Sequence, residues 1–393
     1  MARTRSRRPR RLGGVLTAAA AAALAAVTLP AHTGAAGGRT AGTGYLVTLK
    51  GDTKALSAAG RGVAARYGAR IGQTFGAALN GYAVRADAAQ ARRLAADPRV
   101  ASVTRDGRVT LDATQDRPPS WGLDRLDRPG LPLDRRFTAP DGGGRGVTVY
   151  VIDTGVRITH RDFGGRASYG WDFVGGDRGT GDGNGHGTHV AGTVAGTTYG
   201  VAKRASVVSV RVLDDTGAGT VSQVIAGVDW VTRHARRPAV ANLSLGGPYN
   251  AELDAAVRNS IRAGVTYTVA AGNHGGPAGL YSPADVPQAI TVGATDSHDA
   301  RAAFSDYGSA LDLFAPGVSI TSAWCTSDTA RATFSGTSMA APHAAGAAAL
   351  YLAAHPRATP AQVADALAGA AAAVRIADAG PGSPDRILQV PRG

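Results

Sequence analysis

The sequence predicts an α/β fold: a doubly wound parallel sheet preceded by a small ferredoxin-like α+β module. Three observations carry this expectation. From Gly146 onward, short apolar runs alternate with helical patterns. Ahead of that region, residues 44–111 follow a β-α-β-β-α-β order. Between the two, Gln115–Ser120 with Pro118-Pro119 reads as a boundary. The 393 residues are 44% hydrophobic and 18% charged, enough to bury more than one core.

The N-terminus opens on Arg3, Arg5, Arg7, Arg8, Arg10 and Arg11, followed by an Ala-rich apolar run to Leu29 and small residues at Pro30–Ala36. This is the order of a secretory signal. A transmembrane helix is disfavoured, because no stop-transfer flank follows. The paired arginines leave the general and twin-arginine export routes both open. In the next segment, Tyr45–Leu49 reads as a strand, Ala55–Tyr67 as a helix and Asp87–Ala96 as a second helix. Phe75–Val84 reads as a strand pair around Asn80-Gly81, and Val100–Val103 and Val109–Leu111 as closing strands. Beyond the boundary, Val147–Ile152 is a continuous apolar run suited to a buried parallel strand. Strands are expected at Val207–Leu213, Val240–Leu245, Val265–Ala271 and Ala289–Val292. Helices are expected at His186–Ala195, Val221–Ala235, Leu253–Ala263 and Ser338–Ala354.

A formal charge of +13 suggests a nucleic-acid or membrane partner, but its distribution argues otherwise. Residues 1–112 hold 18 Lys and Arg against 5 Asp and Glu, while residues 113–393 hold 24 of each. The excess belongs to the first third of the chain. With Cys325 as the one cysteine, no intramolecular disulfide is possible.

Four motifs carry chemistry. VYVIDTG (149–155) ends a buried strand on Asp153 and a glycine turn, where ligands of open α/β sheets collect. NGHGTHVAG (184–192) puts His186 at the start of an apolar helix, and a histidine shuttles protons near neutral pH. His186 and His189 also sit at metal-ligand spacing, without the glutamate or third ligand that a zinc helix needs. FSGTSMAAPH (334–343) puts Ser338 at a helix N-terminus, where backbone N–H groups face developing negative charge. VAAGN (269–273) offers the amide of Asn273 to an oxyanion. Taken singly, each residue reads better as a cap, turn or core residue. Together, Asp, His and Ser on three βα elements are the parts of an acyl-transfer triad. Their chain order disfavours the α/β-hydrolase arrangement, in which the serine comes first.

These motifs are those of the subtilase family and resemble its proteinase K branch, with close similarity to aqualysin-type secreted proteases. The match also rests on DGNGHGTHVAGTVAG (182–196), YGVAK (199–203), RVLDDTGAGT (211–220), VANLSLGG (240–247) and FSDYGSALDLFAPG (304–317). Gly44–Asp112, with FGAALNGYAV (75–84) and Asp97-Pro98-Arg99-Val100, resembles that family's inhibitory propeptide.

The resemblance implies a subtilisin-like fold and a secreted serine endopeptidase, made as an autoprocessed precursor. Residues 1–38 would be the signal peptide, 39–112 the propeptide and 113–393 the peptidase domain. Ser338 would be the nucleophile, His186 the base, Asp153 its partner and Asn273 an oxyanion donor. Ser244, Leu245, Gly246, Ala270, Ala271 and Gly272 would wall the pocket for the residue before the scissile bond (P1). Gly217, Ala218 and Gly219 would pair with the substrate backbone, giving broad specificity with aromatic or aliphatic P1. Partners would be protein and peptide substrates and the chain's own propeptide, with no nucleic acid, no stable membrane anchor and a monomeric state. No catalytic cofactor is implied. Structural calcium is implied at Asp312 and the carbonyls of Pro287 and Ala289. A second group, Asp124, Asp127 and Asp134, has Arg128 and Arg136 where ligands would be expected, and Asp177 with Asp182 makes a third idea. Relatives carry cysteine pairs where this chain has Gly183, Asp215, Gly279 and Ala310. Each such bridge is worth about 2–5 kcal/mol, so lower kinetic stability is expected here.

Overall fold

The computed structural model describes residues 43–76, 79–106, 113–179 and 181–391, and the chain divides into two units near residue 110. The expected signal segment, the Val109–Leu111 strand and the expected cleavage point at Asp112 lie outside the described residues.

In the first unit, β1 (Thr43–Leu49), α1 (Ala58–Arg66), β2 (Arg70–Phe75), β3 (Gly81–Ala86), α2 (Ala88–Ala95) and β4 (Val100–Arg105) build a four-stranded antiparallel sheet in the order β2-β3-β1-β4. This is the ferredoxin-like arrangement. Ser57 caps α1 by accepting from the Gly60 N–H, and Asp87 with Gln90 forms a capping box on α2. Val47, Val63, Tyr82, Val84 and Leu94 make its core. One expectation changes. Asn80 is the last residue of the hairpin connection between β2 and β3, and it reaches further: its amide donates to the carbonyls of Leu49, Lys50 and Thr53, and its Oδ1 accepts from the Ala55 N–H. It therefore organises the connection from β1 to α1, and β2 lies earlier than the expected strand pair.

The second unit opens with β5 (Ala113–Asp116), α3 (Trp121–Leu126) and β6 (Arg136–Ala139), with β5 and β6 paired as a ribbon. Its centre is built from β7 (Thr148–Asp153), β8 (Ala167–Asp172), α4 (His186–Ala195), β9 (Ser206–Arg211), α5 (Val221–His234), β10 (Ala239–Leu243), β11 (Gly247–Pro248), α6 (Ala251–Arg262), β12 (Thr266–Ala270), β13 (Tyr281–Ser282) and β14 (Ile290–Thr295). The rest comprises β15 (Leu313–Pro316), β16 (Ile320–Ala323), β17 (Arg331–Phe334), α7 (Thr337–Ala354) and α8 (Pro360–Ala370). Seven parallel strands run in the order β15-β14-β12-β10-β7-β9-β8. Val149, Val190, Val194, Ala344 and Ala348 pack α4 and α7 on one face. Ile152, Val228, Val231, Val257 and Ile261 pack α5 and α6 on the other. Helices on both faces explain why the strands read as unbroken apolar runs. No helix among the described residues is long and apolar enough to cross a membrane.

Candidate active site

The site lies along the carboxyl ends of the central strands. Asp153 is the last residue of β7, and the glycine turn after it carries the chain off the sheet. His186 is the first residue of α4. Its Nδ1 lies 2.7 Å from Asp153 Oδ1, which also accepts the Thr154 N–H at 2.7 Å. Because a carboxylate only accepts, Nδ1 carries the proton and Nε2 is the ring's basic nitrogen. The Asp153 side chain is fully buried, whereas that of His186 is 28% exposed. Burial pushes the His186 pKa down, but the charge and hydrogen bond of Asp153, with Asp182 behind, raise it above the ordinary imidazole value.

Asp182 is the residue that sequence reasoning missed in this role. Its Oδ1 accepts from Thr154 Oγ1, Asn184 N and Gly185 N, and its Oδ2 from Thr188 N and Oγ1. The carboxylate thereby locks the start of α4 to the strand end that bears Asp153. So occupied, it does not suit the calcium idea raised for Asp177 and Asp182. Nor does His189 suit a metal, since its buried Nε2 is hydrogen-bonded to the Ile320 carbonyl.

Ser338 is the second residue of α7, after the Gly336 cap. Its Oγ donates to the Ser244 carbonyl at 3.1 Å, and Ser244 Oγ donates back to the Ser338 carbonyl at 2.8 Å. Among the described residues, no hydrogen bond joins Ser338 to His186. Catalytic hydrogen bonds are often unformed without substrate. Asn273 follows β12, and its Oδ1 accepts from Thr337 N at 2.8 Å and Thr337 Oγ1 at 2.9 Å. This fixes the amide, so that Nδ2 is the end left to donate. Nδ2 and the Ser338 N–H both border Gly336, where a Cβ would lie 3.6 Å from one and 3.7 Å from the other. Two donors thus flank one small space beside the nucleophile.

Leu245, Gly246, Ala270, Ala271, Gly272, Asn273 and Ser338 line one cavity of about 160 Å³. Of the expected pocket residues, Ser244 is buried behind it and tied to Ser338. Sequence reasoning missed His274 and Tyr281, which also line this cavity. Gly217, Ala218 and Gly219 form an exposed turn beyond β9, held by Asp214 Oδ1, which accepts from Thr216 N and Ala218 N.

For calcium, Asp312 sits directly before β15, half-buried, with Oδ2 accepting the Thr291 N–H at 2.7 Å. Burial pushes its carboxyl up to about 6, and a hard cation there would relieve that cost. The carbonyls of Pro287 and Ala289 precede the same strand, β14, that Asp312 contacts. The Asp312 carboxylate fits a hard cation. The group Asp124, Asp127 and Asp134 does not. Asp124 accepts from Asp134 N and Arg135 N, Asp127 from Thr138 N, and the guanidinium of Arg128 pairs with Asp134. Among the described residues, no three His, Cys, Asp or Glu side chains converge as a metal site.

Comparison with known proteins agrees with this geometry. A family model described as the subtilase family matches residues 144–388, and one described as peptidase inhibitor I9 matches residues 45–112. An extracellular serine proteinase of Thermus sp. (strain Rt41A) is 54% identical over 324 residues, 82% of this chain and 78% of that protein. A cuticle-degrading serine protease of Arthrobotrys oligospora is 44% identical over 317 residues, 79% of this chain and 77% of that protein. The crystal structure of a cold adapted subtilisin-like serine proteinase superposes with a TM-score of 0.67 at 51% identity, covering 69% of this chain and 97% of that one.

Proposed function

The chain belongs to the subtilase family of serine peptidases and carries an I9 inhibitor module, and from that premise we propose that it is a secreted endopeptidase made as a self-processing precursor. The observation that carries the reading is a convergence at one sheet end. There the carboxylate-paired His186 stands at the end of β7, while Ser338, tied through Ser244 to the end of the neighbouring β10, and the oriented amide of Asn273 line one cavity.

In the proposed reaction, Ser338 Oγ leaves the Ser244 carbonyl and attacks the scissile carbonyl carbon. His186 Nε2 takes the hydroxyl proton, and the charge formed on the ring is balanced by Asp153. The carbonyl oxygen becomes an oxyanion held by Asn273 Nδ2 and the Ser338 N–H. The tetrahedral species collapses, the C–N bond breaks, and His186 returns its proton to the leaving amine. Water then repeats the sequence on the acyl-enzyme, with His186 again as base. The small residues Gly246, Ala270 and Gly272 leave room in the cavity for an aromatic or aliphatic P1 side chain. Residues 1–38 serve as signal, 39–112 as propeptide and 113–393 as the peptidase, which acts as a monomer outside the cell. The extracellular name of the Thermus relative supports that location. Calcium at Asp312, Pro287 and Ala289 supplies structure and takes no part in the chemistry.

Expression of the full chain and of Ser338→Ala tests the reading. The intact chain should release a product beginning near Ala113 and digest casein, while the variant remains precursor. A variant that matures unaided and digests casein contradicts it.

A further inference from the structure

Behind the oxyanion donor lies a buried acid that the reaction above does not use. Asp306 has a fully buried side chain in the loop between β14 and β15. Its Oδ1 accepts the His274 N–H at 2.8 Å and the Gly276 N–H at 2.9 Å. Its Oδ2 accepts from His274 Nδ1 at 3.1 Å, and its own N–H donates to the Gly272 carbonyl at 3.0 Å. Four bonds from one residue thus clamp residues 272, 274 and 276, the turn that presents Asn273. Gly272 has φ +115°, and any Cβ there would collide with Asp306 Oδ2, so the close approach requires glycine.

The same carboxylate orients the His274 ring. That ring stacks on Tyr281 with centroids 4.3 Å apart and planes 7° from parallel. Both rings line the 160 Å³ cavity that also holds Ser338 and Asn273. The His274 side chain is 58% exposed, so the ring gains little from burial and its orientation depends on Asp306 and Tyr281.

We propose that Asp306 is a positioning residue that holds two neighbours as one unit: Asn273 toward the developing oxyanion, and His274 as a specificity-determining wall of the side-chain pocket. The proposal rests on the peptidase reading and predicts that two variants fail in different kinetic parameters. Misplacing the oxyanion donor weakens only the transition state, because the substrate carbonyl is not yet charged. Removing the ring removes apolar contact with a large P1 side chain and leaves the donors in place.

The test uses mature enzyme from the full chain and three peptide anilides that differ only in P1: Ala, Leu and Phe. Asp306→Ala should lower kcat at least about tenfold on all three with KM for the Ala substrate within about twofold, and by releasing the His274 ring it should also weaken the preference for Phe. Asp306→Asn keeps an acceptor for the two backbone N–H groups and should recover kcat to within about threefold of the unmodified enzyme. His274→Ala should cut the Phe-to-Ala ratio of kcat/KM about tenfold while lowering kcat for the Ala substrate far less than Asp306→Ala does. A loss in Asp306→Ala that falls in KM alone, or is absent, overturns the proposal. So does a His274→Ala enzyme with an unchanged P1 ranking. Should Asp306→Ala not mature, His274→Ala at its exposed position and Asp306→Asn still decide. Failure of the unmodified chain to cleave any anilide would instead contradict the peptidase reading.

Discussion

Two carboxyl groups meet behind the side-chain pocket. Asp254 on α6 is buried, Asp285 lies in the loop after β13, and each has a buried Oδ1 with no hydrogen-bond partner. Burial first, and the charge of Asp254 second, raise the pKa of Asp285. A carboxyl raised in the folded state keeps a proton that the unfolded chain releases. Stability therefore falls as pH rises from the ordinary carboxyl value near 4 through the folded one, and stays reduced at neutrality. Asp285→Asn should raise the urea midpoint at pH 7 by the equivalent of about 1 kcal/mol and change it little near pH 4. A variant less stable than the parent at pH 7 would refute the like-charge account. At His186 the shift is also upward, with a different consequence. The base works only when neutral, so activity is present above the raised pKa and lost as pH falls through it. The acid limb of kcat/KM should lie above about 6.5, and Asp153→Asn should move it down while lowering kcat on the order of 10⁴-fold. A pH–rate profile from pH 5 to 10 checks both. The positions of Asp153, His186 and Ser338 at element ends were legible because each lies within a distinctive motif. Asp182 and Asp306 were not, because their role is set by backbone N–H groups that only folding gathers around them.

At the scale of elements, helices and strands flanking the site matched their patterns to within a few residues, since buried parallel strands and amphipathic helices differ plainly in period. Several elements went unread, among them β8, β15 and α8. β8 (ASYGWD) mixes polar and apolar residues because only part of it is buried, and β15 is four residues ended by Pro316. α8 carried a readable signal: Thr359 and Gln362 form a capping box with Pro360 at the first helical turn. The positions where relatives carry cysteine pairs are also elements of a scaffold. A Cβ on Gly279 would lie 3.9 Å from the Ala310 Cβ, within the span a disulfide needs. A Cβ on Gly183 would touch the Asp215 side chain, so that pair is also adjacent. The double variant Gly279→Cys/Ala310→Cys should form a bridge and gain about 2–4 kcal/mol. Its inactivation half-life at elevated temperature, with and without reductant, measures this. An oxidised variant no longer-lived than the parent would show that the pair is not poised for bridging.

On the scale of the whole molecule, the charge split acquires a physical meaning. Residues 1–112 carry the entire excess of +13, and residues 113–393 are balanced. The ferredoxin-like unit and the parallel-sheet unit each have their own core. A single division near residue 110 separates them. Without intramolecular disulfides, the calcium proposed at Asp312 would carry more of the burden of kinetic stability. A chelator should shorten the half-life of the mature enzyme several-fold, and Asp312→Ala should be short-lived and indifferent to chelator. Equal half-lives for the parent with and without chelator would remove calcium from the account. The central claim is that Ser338, activated by His186, is the nucleophile. Its most direct test is to treat the mature enzyme with a fluorophosphonate and locate the adduct by peptide mass spectrometry. The account predicts stoichiometric labelling on Ser338, complete loss of peptidase activity, and almost no labelling in His186→Ala; an enzyme that stays active and unlabelled, or is labelled elsewhere, would contradict it.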